Sequence, residues 1–525
     1  MLLPRFSAWV RTALSVIGAV ALLALPDSPR TTAAAAQRQA GLGAAVPRDP
    51  QARSVLRRSP ARARALIEAR QRRLDYVPGE VIVKFRDGMT SVRRQRALTA
   101  LRSRPSVSDL EWHRNVALLY DPTEPDARVL ARQLNAQPEV EYAEPNYLVR
   151  IRPVSNAVPL DVNEAHPAAT PNDPAYSAQW NLSALDMPRA WDINPGASSD
   201  VIVAVVDTGV TTVNQSFNFP YWDGSSIRTI SMPFAISPGL PASRHTRSRD
   251  FAFWDGAVLD VDGHGTHVAS TIAEATNDMS RAAGIAYNVV VMPVKVCTGF
   301  WDEQIIRSSL NIPGRADEDD PGCTFMDVAQ GVEYAAEQGA KVINLSLGAE
   351  FASTRLRDAL DFAVRRGAFI AIAMGNLFED LNPTVYPAKY AELFQGAMSV
   401  AAVGRSLATR ASYSSTGSHC EIAAPGGDLG DFIFQTTLAE PGHNSVSPNF
   451  TLFGVFGSQG TSMATPHVAG LAALIISQRP GITPAQVEAI IRATAKDIGA
   501  PGKDNDFGYG LIQPRAALFG LGIRK

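Results

Sequence analysis

The sequence predicts an α/β fold, a parallel sheet with helices on both faces, preceded by a small α+β unit. Two observations carry the first part. Near-continuous apolar segments recur between Val201 and Val403: "VIVAVV", "VVVMPVKV", "KVINLSL", "FIAIAM" and "AMSVAAV". Helical patterns such as "MDVAQGVEYAAEQGA" and "STRLRDALDFAVRRG" lie between several of them. Strands without a polar face need cover on both sides, and the helices supply it. The third observation is an earlier compact stretch of alternating short strands and helices, about 75 residues long, which suits a separate α+β sandwich.

Taken in order, the chain opens with Arg5 and Arg11, an apolar run from about Ala13 to Leu25, and small residues at Ala33 to Ala36. This is the arrangement of a secretory signal peptide over residues 1–36, with an uncleaved anchor as the alternative. The apolar core is short for a membrane span, and no later segment is long and apolar enough for one. Residues 37–75 read as a connector. Within it, Ala52 to Arg73 is rich in arginine and alanine with little apolar stripe, so a solvated helix or a disordered segment is expected.

Residues 76–152 form the compact unit. "GEVIVKF" is a strand, "SVRRQRALTALRS" a helix capped by Ser91, and "DLEWHRNVALLY" a strand. "EPDARVLARQLNAQ" is a second helix and "VEYAEPNYLVRI" a final strand. Residues 153–171 are polar with several prolines and read as a linker. The parallel-sheet domain occupies residues 172–525, with no internal repeat and no room for an added C-terminal domain after "GYGLIQPRAALFG".

At 525 residues, 19% charged and 46% hydrophobic, the chain reads as globular with more than one domain. Its net charge of −2 hides an asymmetry. Met1 to Asn156 holds 25 basic and 14 acidic residues, or +11, and the remainder holds 24 and 37, or −13. The halves attract, which makes an intramolecular partner a better expectation than nucleic acid. Of three cysteines, Cys297 and Cys323 flank a polar, acidic insertion and are the favoured disulfide pair; three buried thiols are the other reading.

In an open α/β sheet, reactive groups collect at the carboxyl ends of strands. "VIVAVV" ends at Asp207 in "DTGV"; "DGHGTHVAS" places His264 between glycines; "GTSMATPHVAG" places Ser462 ahead of a long apolar run. Each has a bland reading: a turn aspartate, a packed histidine, a helix cap. A metal pair at His264 and His267 lacks a third ligand at matching spacing. Jointly the three have one use. An imidazole removes the serine proton, and a buried carboxylate holds the imidazole and stabilises its charged form. Pro466 requires the helix to start very near Ser462, placing the hydroxyl at its positive end.

Those three segments, in the order Asp, His, Ser, resemble the signatures of subtilisin-like serine proteases. The resemblance covers roughly Asn172 to Leu521. It implies that Asp207 orients His264, that His264 acts as general base and then acid, and that Ser462 attacks the peptide carbonyl. It also implies that Asn376, in "AIAMGN", is an oxyanion donor together with the Ser462 N–H. "NLSLG" resembles the segment that pairs with a bound peptide, so Ser346, Leu347 and Gly348 are expected to bind substrate through their backbone. Val385, before Tyr386 and Pro387, falls toward the base of the primary specificity pocket and implies small or medium apolar side chains there.

The resemblance brings further expectations. "NDPAYSAQWNL" resembles the family's mature start, where Gln179 is a candidate ligand for structural calcium. The run from Ala316 to Gly322 is either a solvated loop or a calcium site. No cofactor is expected for catalysis. The N-terminal unit, read as a ferredoxin-like βαββαβ fold, resembles the family's inhibitory propeptide, which implies self-cleavage between Asn146 and Asn172. His267 and His467 are expected to be packed; His113, His166, His245, His419 and His443 show no partner spacing. The stretch between Asp207 and His264 is longer than in the shortest family members.

The expectation is an exported monomeric serine endopeptidase, secreted or periplasmic, acting on proteins and peptides and held by its own propeptide. It has no nucleic-acid partner and no stable membrane span. A narrow-specificity processing protease and an inactive binding protein of the same fold are the rivals.

Overall fold

The computed structural model describes residues 59–151, 158–160, 171–252, 257–316, 322–439 and 448–520. The expected leader, His166, His443 and most of the acidic run after Ala316 lie outside them. The N-terminal unit begins with α1 (Pro60–Gln71), capped by Ser59 with Pro60 at its first position. This helix is packed rather than solvated, burying Ala63, Ala65, Leu66, Ile67, Ala69 and Arg70. Then come β1 (Tyr76–Phe85), α2 (Ser91–Leu98), β2 (Glu111–His113), β3 (Val116–Tyr120), α3 (Ala127–Asn135) and β4 (Val140–Arg150).

Two local expectations are corrected here. The cap of α2 is Thr90, whose hydroxyl accepts from Arg93 N–H; Ser91 is the first helical residue. "DLEWHRNVALLY" is a hairpin of β2 and β3 rather than one strand, because Arg114 takes a left-handed φ of 56° and reverses the chain.

After β5 (Val158–Pro159), the short helices α4 (Trp180–Ala184) and α5 (Met187–Trp191) precede β6 (Ile202–Asp207). The insertion that follows β6 forms a hairpin, β7 (Gln215–Trp222) with β8 (Ile227–Phe234). Its Phe217, Phe219 and Phe234 pack with Trp301, Phe450 and Val261. Next come β9 (Arg249–Asp250), α6 (His264–Ala273), β10 (Val290–Lys295), β11 (Cys297–Thr298), α7 (Phe300–Ser309) and β12 (Gly322–Thr324). They are followed by α8 (Phe325–Glu337), β13 (Val342–Leu345), α9 (Thr354–Arg365), β14 (Phe369–Ala373), β15 (Ala397–Val403) and β16 (Ile422–Pro425). The chain closes with β17 (Ile433–Leu438), β18 (Phe453–Ser458), α10 (Thr461–Gln478), α11 (Pro484–Thr494) and α12 (Pro514–Phe519).

The main sheet has seven parallel strands in the order β16-β15-β14-β13-β6-β10-β9. Its strands are almost wholly buried, as their apolar sequences require. Cys297 and Cys323 are disulfide-bonded and directly paired across β11 and β12; Cys420 is a buried free thiol. No helix among the described residues is long and apolar enough to cross a membrane.

The N-terminal unit docks on the starts of two helices. The Glu144 carboxylate accepts from Ser353 Oγ at 2.6 Å, Thr354 N–H at 2.8 Å and Arg355 N–H at 3.1 Å, at the positive end of α9. Asn146 Oδ1 accepts from Met326 N–H at 3.2 Å, in the first turn of α8. Burial outweighs these bonds and raises the Glu144 pKa. His113 does have a partner: its Nε2 lies 2.9 Å from Glu333 Oε2, and Glu333 is also held by both ends of the buried Arg355 guanidinium.

Candidate active site

Strand order places the site. The chain runs from β6 to β10 on one side and later returns to β13 on the other. The order therefore reverses between β6 and β13, the position where open parallel sheets carry their ligand crevice at the strands' carboxyl ends. Asp207 ends β6, Ser346 to Gly348 follow β13, and Gly375 and Asn376 follow β14.

Asp207 is fully buried, and its Oδ1 accepts from Thr208 N–H at 2.7 Å and lies 2.7 Å from His264 Nδ1. A carboxylate partner keeps the proton on Nδ1 and leaves the Nε2 lone pair for use. His264 Nε2 has no hydrogen-bond partner. Burial alone would lower the His264 pKa; the Asp207 charge and hydrogen bond, with Asp262 and Asp260 behind them, outweigh it and raise it.

His264 opens α6 directly after Gly263, which takes φ +100°. A Cβ at Gly265 would lie 2.2 Å from the Gly209 carbonyl oxygen, so only glycine lets this helix start rest on the turn after Asp207. The approach is fastened by Asp260, a fully buried residue the motif reading passed over. Its Oδ1 accepts from Asp262 N–H, Gly263 N–H and Thr208 Oγ1, and its Oδ2 accepts from Thr266 N–H and Oγ1. An acidic residue shortly before the histidine was the available signal.

Ser462 is the second residue of α10, whose N-cap is Gly460. It is therefore not the helix cap, and its N–H has no intrahelical partner. Pro466 lies inside the helix and lacks the N–H that the Ser462 carbonyl would otherwise accept from. Ser346 Oγ fills that place at 2.9 Å, itself accepting from Asn344 Nδ2 at 3.0 Å. The Ser462 hydroxyl donates to the Ser346 carbonyl oxygen at 3.2 Å, so in this conformation it is not hydrogen-bonded to His264. Asn376 is pinned by its oxygen, which accepts from Thr461 N–H at 2.9 Å and Thr461 Oγ1 at 2.8 Å.

Ser346, Leu347, Gly348, Asn376, Val385 and Ser462 line one cleft. Val385 lies against two glycines of the lining. Its Cγ1 lies 2.6 Å from where a Cβ would stand on Gly348, and its Cγ2 lies 2.7 Å from one on Gly375. The end of β4 enters the same cleft through Leu148, Arg150 and Ile151. That segment is held on both edges: Leu148 to Arg150 pair with Thr324 to Gly322, and Arg150 bridges antiparallel to Gly348.

His267 Nε2 faces the carbonyls of Ile433 and Phe456, and His467 bridges Met463 O and Asn181 Nδ2, so both are packed groups. Burial lowers both pKa values to about 4. Gln179 is fully buried. Its oxygen accepts from Ala283 N–H at 2.8 Å, while its amide donates to Ala283 O and Phe434 O. The carboxamide thus bonds to the backbone through both its oxygen and its nitrogen. No group of three or more His, Cys, Asp or Glu suited to a metal ion occurs among the described residues.

Comparisons with known proteins identify the family. Residues 198–510 match the Subtilase family, and residues 63–146 match the fervidolysin N-terminal prodomain. The chain is 31% identical over 446 residues to a thermophilic serine proteinase of Bacillus sp. (strain AK1), covering 84% of this chain and 88% of the relative. It is 29% identical over 478 residues to an extracellular protease of Xanthomonas campestris, covering 83% and 72%. The solved structure of fervidolysin from Fervidobacterium pennivorans shares the fold at a TM-score of 0.58 and 24% identity; the match covers 85% of this chain and 61% of that one.

Proposed function

Because the chain belongs to the subtilase family and is a serine endopeptidase with an N-terminal prodomain, we propose that Asp207, His264 and Ser462 are its catalytic triad. The observation that carries this is the 2.7 Å contact between His264 Nδ1 and Asp207 Oδ1, with Ser462 in the first turn of α10. The Ser462 hydroxyl leaves the Ser346 carbonyl by rotation about Cα–Cβ and turns to His264 Nε2. Catalytic hydrogen bonds often tighten only once substrate is bound.

Nε2 takes the hydroxyl proton as Oγ bonds to the substrate carbonyl carbon, and Asp207 stabilises the imidazolium. The oxyanion is met by Asn376 Nδ2 and the Ser462 N–H, each such donor being worth ~3–4 kcal/mol. The imidazolium then protonates the departing amine. Water, activated by the same Nε2, hydrolyses the acyl-enzyme. No cofactor enters these steps.

Substrate binds as an added strand on Ser346 to Gly348, and the Val385 methyls favour small or medium apolar side chains at the primary pocket. The N-terminal unit inhibits in cis, since the end of β4 occupies the ground a substrate strand needs. Its removal follows self-cleavage between Asn146 and Asn172. In this reading residues 1–36 are a signal peptide, the inhibitory unit runs from α1 to residue 152, 153–171 carry the processing site, and 172–525 are the catalytic domain. Export fits the charged-then-apolar N-terminus and a relative that is an extracellular protease. The monomer acts on protein and peptide substrates.

The test is labelling with a fluorophosphonate probe. Wild-type protein is expected to be labelled and processed, while Ser462→Ala remains folded, unlabelled and uncut. Labelling or normal processing of that variant removes Ser462 from the nucleophile's role.

A further inference from the structure

Arg70, in the last turn of α1, is only 4% exposed. A guanidinium so thoroughly removed from water is costly unless its surroundings replace the lost hydration. Its Nη1 lies 3.3 Å from Glu303 Oε2, and its Nη2 donates to the Gly322 carbonyl at 2.8 Å and to Thr298 Oγ1. All three acceptors belong to the catalytic side. Thr298 and Gly322 stand directly opposite each other across β11 and β12, and Glu303 lies in the first turns of α7.

These acceptors are also tied to their own side of the interface. Thr298 Oγ1 donates to the Gly322 carbonyl at 3.2 Å, and Glu303 also lies 3.4 Å from Arg307 Nη1. The neighbouring cross-strand pair, Cys297 and Cys323, is a disulfide. A Cβ at Gly322 would stand 3.0 Å from Arg70 Nη2, so glycine makes the space. The three acceptors together suit a planar cation, which Arg provides through its fixed fork of donors.

The pocket also borders the substrate path. Gly322 pairs with Arg150 on the strand that enters the cleft. Directly opposed residues project to the same face of a sheet. A side chain in the place of Arg150 therefore rises on the face over which Arg70 lies. We propose that Glu303, Thr298 and the Gly322 carbonyl form a guanidinium-binding subsite, filled by Arg70 in the full chain and by an arginine side chain of the substrate once the N-terminal unit has left. This rests on the proteolytic reading above and adds a basic preference upstream of the cleaved bond.

Two measurements test it, and they fail separately. In the first, a peptide series places Arg or its neutral isostere citrulline in turn at each of the four positions before the cleaved bond. Processed wild-type enzyme is expected to prefer Arg about tenfold in kcat/KM at one position, the value of a charge-assisted hydrogen bond partly open to water. Glu303→Gln is expected to abolish that preference. Equal cleavage of Arg and citrulline peptides at every position overturns the subsite and leaves the protease intact.

The second measurement needs no turnover. The Ser462→Ala full chain carrying Arg70→Ala is expected to melt at a lower temperature, and millimolar ethylguanidinium to restore part of the loss. The same chain with Glu303→Gln added is expected to show no restoration. Absence of restoration in the chain that keeps Glu303, or equal restoration in both, overturns the subsite whether or not the protein cleaves peptides.

Discussion

The hydroxyl of Ser346 donates to the carbonyl of Ser462 at 2.9 Å, and the hydroxyl of Ser462 donates back to the carbonyl of Ser346 at 3.2 Å. The first bond exists because Pro466 cannot donate to the Ser462 carbonyl. Ser346→Ala leaves that buried acceptor unpaired and is expected to cost about 1–3 kcal/mol of stability. Pro466→Ala restores a backbone donor, so the double variant should lose less than the sum of the single losses. Urea denaturation of the four proteins in a Ser462-inactivated state measures the coupling; simple additivity refutes it.

Asp260 touches neither Asp207 nor His264 through its side chain, yet it ties together the turn from which His264 emerges. Asp260→Asn replaces one acceptor oxygen by a donor facing N–H groups. Displacing His264 by a fraction of an ångström is expected to reduce kcat by up to about 10²-fold. KM should stay nearly constant, because the cleft lining is untouched. A rise in KM with unchanged kcat would contradict a positioning role.

Val385→Gly removes the methyls that lie against Gly348 and Gly375. The ratio of kcat/KM for Phe over Ala at the primary position should rise by about 10–100-fold, the scale of a few methylenes in an apolar pocket. Cleavage profiling of both proteins checks this. An unchanged ratio would mean that the valine does not set the depth of the pocket.

The pH dependence of turnover follows from His264. In the proposed triad only its neutral form accepts the Ser462 proton, and its pKa is raised above the ordinary 6.5. The acid limb of kcat/KM should therefore have its midpoint above 6.5, with activity rising as pH rises through it. Asp207→Asn removes the principal raising influence and leaves the desolvation. The midpoint should then move down while kcat falls by about 10⁴-fold. A midpoint that stays in place would deny Asp207 its electrostatic role.

The pH dependence of stability follows from Glu333. Desolvation raises its pKa, but the hydrogen bonds and charges of Arg355 and His113 outweigh this and bring it down to about 2. A depressed carboxylate contributes stability above its unfolded value and loses it as pH falls. The difference from 4.5 is worth about 3 kcal/mol, lost between roughly pH 4.5 and 2. Glu333→Gln should flatten the acid limb of the denaturation profile in that window; an unchanged limb would contradict the assignment.

Local sequence determined the strands of the main sheet, the helices between them and the segments holding Asp207, His264, Asn376 and Ser462. Apolar runs, glycine placement and a proline near a helix start are properties of neighbours along the chain. Where the local signal was absent, the sequence misled: Arg114 turns the chain with φ 56° and no glycine, so β2 and β3 read as one strand. Tertiary structure alone decided what each group meets. Ser346 reaches Ser462 across 116 residues, Glu144 caps α9 from 210 residues away, and Arg70 finds Glu303 across 233. Periodicity states which face of an element is apolar, but a hydrogen-bond partner or a filled pocket floor exists only after separate elements pack, and their final separations are not written in any short stretch of chain.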